Sequence, residues 1–267
     1  MSRLLAFCLM LAVAPVVLAQ TNDFQEMENP RQGLSFHQPN LALIGNDPIL
    51  EMKLQFSFKY RFVERGTFDP WWLAPVNTLF FGYSQKMFWD LEEDSAPYPN
   101  NYLDSYFSPE LFWLSRGMAP SLFEAQFDLR GGYQHQSNGR DEVFGRTWER
   151  IYIQPYWTWG ETGDWQFVAT PKLWIPFAVG DAMSDIAEYY GYGELHLKFG
   201  KHQGFAVETL LRKGMERGYG AVELTASYPI QPLNLFAVGQ IFHGYGESLR
   251  LYDQETTTYR IGLAISR

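Results

Sequence analysis

Met52-Lys53-Leu54-Gln55-Phe56-Ser57-Phe58-Lys59-Tyr60-Arg61-Phe62 alternates apolar and polar residues without a break. Successive side chains of an extended strand point to opposite faces, so this stretch has one oily wall and one wet, cationic wall. The same period of two returns where Leu195, Leu197 and Phe199 interleave with Glu194, His196 and Lys198. It returns again near the C-terminus, at Tyr259, Ile261, Leu263 and Ile265. A soluble sandwich alternates too. Two features favour a membrane barrel instead. The strands run to about ten residues, the length a tilted strand needs to cross a bilayer. Aromatic residues also crowd the strand ends, at Trp71 and Trp72, Tyr98, Tyr106 and Phe107, Trp157 and Trp159, and Tyr189 and Tyr190. Rings with one wet and one oily edge settle at such interfaces.

Turn signals divide the chain into about a dozen strands, an even number typical of bacterial barrels. The expected strands are 34–45, 51–63, 76–91, 104–115, 121–135, 147–159, 164–175, 188–199, 204–213, 219–229, 233–245 and 257–266. The expected fold is therefore all-β: a transmembrane antiparallel β-barrel, most simply of 12 strands. Arg3, the apolar run Leu4 to Val17 and Ala19 have the layout of a cleavable secretory signal peptide, expected over 1–19, with one barrel domain over 20–267. The single cysteine, Cys8, falls in that leader, so no disulfide or cysteine metal site is expected in the barrel. The net charge is −9 and the basic residues are scattered, which excludes a nucleic-acid footprint. Aromatics reach 17%, rich for a soluble domain.

The chemistry is concentrated between Phe123 and Tyr156. Phe123, Ala125, Phe127, Leu129, Gly131 and Tyr133 share one parity, and Glu124, Gln126, Asp128, Arg130 and Gln134 the other. Apolar residues of a barrel face lipid, so the odd positions point outward, and His135 and Ser137 with them. On the next strand Ile151 and Ile153 mark the outward parity, which Glu149 shares. A serine hydroxyl is a weak nucleophile until an imidazole takes its proton, and the imidazole needs an acceptor to fix its tautomer. A serine, a histidine and a glutamate on one oily wall could supply that relay. They could equally be rim residues at headgroup height, where polar side chains are tolerated, and parity alone leaves both readings open.

The stretch Gly132-Tyr133-Gln134-His135-Gln136-Ser137-Asn138-Gly139-Arg140, followed by Arg146-Thr147-Trp148-Glu149-Arg150-Ile151-Tyr152, resembles the active-site segment of the outer-membrane phospholipase A family. Tyr83-Ser84-Gln85-Lys86, Ser95-Ala96-Pro97-Tyr98, Pro109-Glu110-Leu111-Phe112 and Gly244-Tyr245-Gly246-Glu247-Ser248-Leu249 match in order, so the resemblance covers nearly the whole chain past the leader. It implies a twelve-stranded barrel that hydrolyses acyl esters of membrane phospholipids and lysophospholipids, depends on Ca2+, and acts as a reversible homodimer in the outer membrane of a Gram-negative bacterium. It further implies that Ser137 is the nucleophile, His135 the general base and Gly139 N–H an oxyanion donor. The Arg140 carbonyl would be a calcium ligand, joined by the carbonyl of Ala96 from a second copy, and Gln85 would lie at the dimer interface.

Two positions depart from that pattern. The third member of the relay is usually asparagine and here is Glu149. Gly145 stands where a calcium-binding serine is expected, and Asp141, Glu142 or Asp181 are the candidates to replace its oxygen. The chain also ends on Arg267, where many such barrels end on an aromatic residue. Two rival readings are a lipid A deacylase, whose family also carries His-x-Ser, and a passive pore lined by Lys53, Lys59, Arg61, Asp128 and Arg130. The remaining histidines, His37, His196, His202 and His243, are expected to be structural.

Overall fold

The computed structural model describes residues 33–46, 50–64, 66–68, 74–92, 102–140 and 144–267. The leader, Trp71, Trp72, Ala96, Tyr98, Asp141 and Glu142 lie outside them. Thirteen strands follow in order: β1 (Gly33–Phe36), β2 (Asn40–Asn46), β3 (Leu50–Arg61), β4 (Leu79–Asp90), β5 (Tyr102–Leu122), β6 (Ala125–Ser137) and β7 (Thr147–Trp159). The second half contributes β8 (Gln166–Val179), β9 (Gly193–Gly200), β10 (Ala206–Lys213), β11 (Gly220–Ile230), β12 (Leu235–Tyr245) and β13 (Glu255–Ser266), with the short α-helix α1 (Ile186–Tyr190) after a 3-10 turn at Asp181–Met183. Every pairing is antiparallel between neighbours, and β2 pairs with both β3 and β13, which closes the ring.

Twelve barrel positions hold the thirteen strands. Strands β1 and β2 both pair with β3, at Phe36↔Phe58 and Leu41↔Gln55, so they are one wall strand broken at 37–39. The expected strand 34–45 is therefore not continuous. The break turns His37 into the lumen, where it is buried. The hairpin between β5 and β6 also departs from the expected strands 104–115 and 121–135. Gly117 and Pro120 read as a turn, but β5 runs on to Leu122 through two register irregularities. The reversal falls at Phe123 and Glu124, both at φ 60°, so those two residues lie outside the strand to which their alternation assigns them. Two consecutive positive-φ residues make the tight turn whose twist suits a hairpin. Nearby, Ala125 is buried and Gln126 exposed, and the outward parity holds from Phe127 on. At 188–192, also expected as strand, α1 and its exit turn precede β9.

Burial follows the alternation. Lys53, Ser57, Lys59 and Arg61 are buried in the lumen, while Phe56 is exposed on the outer wall. Ile151, Ile153, Leu173, Ile175, Ile241 and Ile261 are likewise exposed outward, an apolar belt that only lipid covers at no cost. The lumen is polar, and many of its charges are paired. Lys53 Nζ donates to Gln240 at 2.7 Å and to Glu247 at 3.2 Å, and Arg260 reaches Glu51 and Glu247. His37 Nε2 lies 2.5 Å from Glu110, which also takes Arg130 at 3.0 Å.

At the rim where β6 ends, two loops fold inward. They bring Met183, Ile186 and Tyr190 from one side, and Leu249 and Tyr252 from the other, onto Trp148, Trp174, Phe112 and Phe88. Tyr190, expected at an aromatic girdle, is buried in this plug, and its hydroxyl donates to the Gly246 carbonyl at 2.9 Å. Tyr252 donates to Asp185, and burial together with that carboxylate pushes its hydroxyl well up from the ordinary value. The inward charges are thus capped by an apolar plug at this end, which runs against an open pore. The opposite rim carries both described termini and mostly short turns.

Candidate active site

Strands β6 and β7 place the three sequence candidates by register. His135 faces Glu149, Ser137 faces Thr147, and between them Gln136 faces Trp148. The inward members lock this register from behind. Trp148 Nε1 donates to Gln136 Oε1 at 2.8 Å, and Arg150 donates to Gln134 Oε1 at 2.7 and 2.9 Å. A slip of one residue would turn all of these to the lipid face, so the interior bonds determine which side chains point out. On that outer face His135 Nδ1 lies 3.5 Å from Glu149 Oε1, with the two side chains 30% and 33% exposed. The separation is long for a hydrogen bond, a looseness common in catalytic pairs before substrate arrives. With Nδ1 turned to the carboxylate, Nε2 is the ring nitrogen left for a proton from a hydroxyl. Ser137, two residues on and on the same face, is the last residue of β6.

The chain leaves β6 through a turn built by Asn138, a residue of the motif whose role no sequence pattern marks. Its side chain is buried. The Oδ1 atom accepts from Arg146 N at 2.8 Å and Arg140 N at 3.3 Å, and Nδ2 donates to the Phe144 carbonyl at 2.8 Å. Its own N–H donates to the Arg146 carbonyl at 3.0 Å. Both legs of the loop are therefore tied to one side chain, and Gly139 between them adopts φ 65°. That left-handed backbone suits glycine, and an added Cβ would also meet the Phe107 ring at 3.0 Å. Gly139 is thus two residues from Ser137, in a turn whose backbone is fixed on both sides.

The metal candidates are spread around this turn. Arg140 and Gly145 are its two legs, and the Gly145 carbonyl accepts from the Arg146 guanidinium at 3.1 Å. Asp181 is exposed at the start of the next rim loop. It is brought alongside because Gly180 N donates to the Thr147 carbonyl at 2.9 Å. Among the described residues no group of three or more His, Cys, Asp or Glu could hold a metal ion. Ala96, Asp141 and Glu142 lie outside the described residues.

The other histidines fall elsewhere. His37 and His196 face the lumen, and His202 lies in the turn 201–205. His243 is exposed on the outer wall, with its ring 3.5 Å from Glu255 and 2.8 Å from Thr257 Oγ1. Gln85, on the outer face of β4, accepts from Tyr83 at 2.9 Å and donates to Ser105 at 3.1 Å.

Residues 17–266 match the family model described as phospholipase A1. Over 228 residues the chain is 34% identical to the phospholipase A1 of Escherichia coli, covering 81% of this chain and 70% of that one. A relative from Neisseria meningitidis serogroup B is 33% identical over 227 residues; the match covers 82% of this chain but 55% of that protein, so this chain spans about half its length. Among solved structures, outer membrane phospholipase A from Escherichia coli superposes with a TM-score of 0.70 at 25% identity, over 86% of this chain and 93% of that one. The Salmonella typhi outer membrane phospholipase dimer with bound calcium gives 0.72 at 25% identity, over 91% and 95%.

Proposed function

The chain belongs to the phospholipase A1 family, and on that premise we propose that it hydrolyses acyl esters of phospholipids and lysophospholipids, with Ser137, His135 and Glu149 as its relay. The observation that supports this most directly is the facing pair His135 and Glu149, 3.5 Å apart on the lipid side of the wall, with Ser137 on the same face. A lipid ester reaches that face from the bilayer without leaving it. The barrel is of the outer-membrane type. Its twelve positions run against the lipid A deacylase reading, since the deacylase family that shares His-x-Ser is expected to have a shorter barrel of about eight strands.

In this reading Ser137 Oγ attacks the acyl carbonyl while His135 takes its proton. The tetrahedral oxyanion is received by Gly139 N–H, held in place by the Asn138 clamp, a preorganised donor of the kind worth about 3 kcal/mol. Collapse passes the proton from His135 to the departing alcohol oxygen and leaves an acyl ester on Ser137. Water, activated by the same imidazole, then releases the fatty acid. Glu149 holds the ring and stabilises the imidazolium that forms twice per cycle.

The described residues suit calcium as a shell of carbonyl oxygens with a single carboxylate. No carboxylate cage is present among the described residues, and Gly145 brings no hydroxyl. The Arg140 carbonyl and Asp181 are the described groups that would hold it, with Ala96 of a second copy. When bound, the ion supplies positive charge beside the developing oxyanion. We place the reversible homodimer contact on the outer face around Gln85, and the secretory leader at 1–19. The test is phospholipid hydrolysis in detergent, with and without calcium, on wild type and Ser137→Ala. Wild type should require calcium and Ser137→Ala should be inert. A fully active Ser137→Ala protein removes the assignment, and activity unchanged by a strong chelator removes calcium.

A further inference from the structure

The lumen side of the catalytic wall carries two buried cations that hydrolysis does not use. Gln134 and Arg150 are the chain neighbours of His135 and Glu149, and they face each other across the β6–β7 ladder. The Gln134 side-chain oxygen accepts from Arg150 Nε and Nη2 at 2.9 and 2.7 Å, and also from Lys172 Nζ on β8 at 3.0 Å. Arg150 and Lys172 are each more than nine-tenths buried. One neutral amide oxygen is thus the shared acceptor of two cationic side chains.

Neither makes an ion pair with any residue of the described chain. The carboxylates that bear on them are engaged elsewhere: Glu110 with His37, Arg130 and Tyr152, and Glu194 with His196 and Arg212. The remaining neighbours are ring faces. Lys172 Nζ lies 4.2 Å from the Tyr152 centroid, and the Arg150 guanidinium lies 4.3 and 4.7 Å from those of Trp148 and Trp174. Ring faces attract cations but accept no full complement of N–H bonds. Two like charges out of bulk water are costly unless an anion sits with them.

Space for one is present. Gln134, Arg150 and Lys172 line a lumen cavity of about 530 Å³ that reaches the rim opposite the plug, where Gln38, Gln203 and Gln231 border it. Lysines and arginines outnumber glutamates along its wall and no aspartate lines it, although the whole chain is acidic. We propose that Arg150 and Lys172 form an anion site inside the barrel, taking a compact phosphate-type oxyanion from solution through that opposite rim. With its Nε and Nη2 edge on Gln134, Arg150 keeps its terminal Nη1 and Nη2 hydrogens to donate, and Lys172 adds a point charge, a combination that suits a multi-oxygen anion. Lipid phosphate stays on the outer wall, so the ligand is a free anion.

The experiment uses the full barrel in a phosphate-free, non-ionic detergent without divalent cations. Inorganic phosphate is titrated by calorimetry and by 31P line width into wild type, Lys172→Met and Lys172→Arg, with folding checked by circular dichroism. Wild type should bind one phosphate saturably, Lys172→Arg should retain it, and Lys172→Met should bind about tenfold more weakly or worse. Phospholipid micelles should not compete. Should Lys172→Met not fold, the wild-type thermal midpoint serves instead and should rise with phosphate but not with equal chloride. Absence of saturable binding to wild type, equal affinity in Lys172→Met, displacement by phospholipid, or a midpoint indifferent to phosphate overturns the proposal. None of these readouts depends on hydrolysis, so the failure of one reading leaves the other standing.

Discussion

Replacing Glu149 by glutamine isolates the charge of the third relay member from its shape. Glutamine keeps an oxygen in the position that faces His135 Nδ1 at 3.5 Å, so the acceptor survives and the negative charge goes. At that distance two unit charges interact by about 1 kcal/mol in bulk water and about 5 at an effective dielectric near 20. Both side chains are roughly a third exposed, so solvent screens the pair and the lower part of that range applies, about 1–2 kcal/mol. That much lost stabilisation of the imidazolium lowers kcat about 5- to 30-fold. Glu149→Ala removes the orienting acceptor as well and should fall further, by about 10²- to 10⁴-fold. The assay is initial-rate release of fatty acid from mixed phospholipid micelles at saturating substrate, comparing both variants with wild type and Ser137→Ala. A Glu149→Gln protein as inert as Ser137→Ala would refute the estimate of a screened charge. A Glu149→Ala protein with wild-type kcat would take Glu149 out of the relay altogether.

Three further outcomes follow from the surroundings of the site. Asn138→Ala releases both legs of the turn, losing three side-chain bonds, and should cut kcat at least tenfold while the thermal midpoint moves little; an unchanged kcat would detach the clamp from catalysis. Gly139→Ala forces a side chain into φ 65° against the Phe107 ring, a strain of about 1–3 kcal/mol, and kcat should suffer more than KM in steady-state kinetics. Glu247→Leu strips the buried carboxylate shared by Lys53, Arg260 and Thr258, leaving cations unpaired. It should destabilise the barrel by about 3–5 kcal/mol in denaturant unfolding, whereas a neutral result would mean the lumen network relaxes freely.

Much of the wall was legible because alternation is a local property. Phe56 and Lys59 declare opposite faces wherever the strand ends up, and their burial agrees. Parity also brings His135, Ser137 and Glu149 to one side, since each strand carries its own apolar markers of the outer face, Tyr133 on β6 and Ile151 and Ile153 on β7. What misled were residues whose local habit the sheet overrode. Gly117 and Pro120 look like a turn, yet the ladder runs through them with irregular register, and the reversal is at Phe123 and Glu124. The chain at His37-Gln38-Pro39 reads as part of a strand, but its break serves a distant partner, Glu110, 73 residues away.

Fold class and the outward face of the site were therefore determined by the sequence alone, since the period of two is written residue by residue. Closure of the ring through β2 and β13, the inward folding of the rim loops, and the sharing of Gln134 by Arg150 and Lys172 were decided only in three dimensions. Each depends on residues far apart in the chain that meet across the lumen, and no local pattern records which side chains a closed barrel will bring face to face.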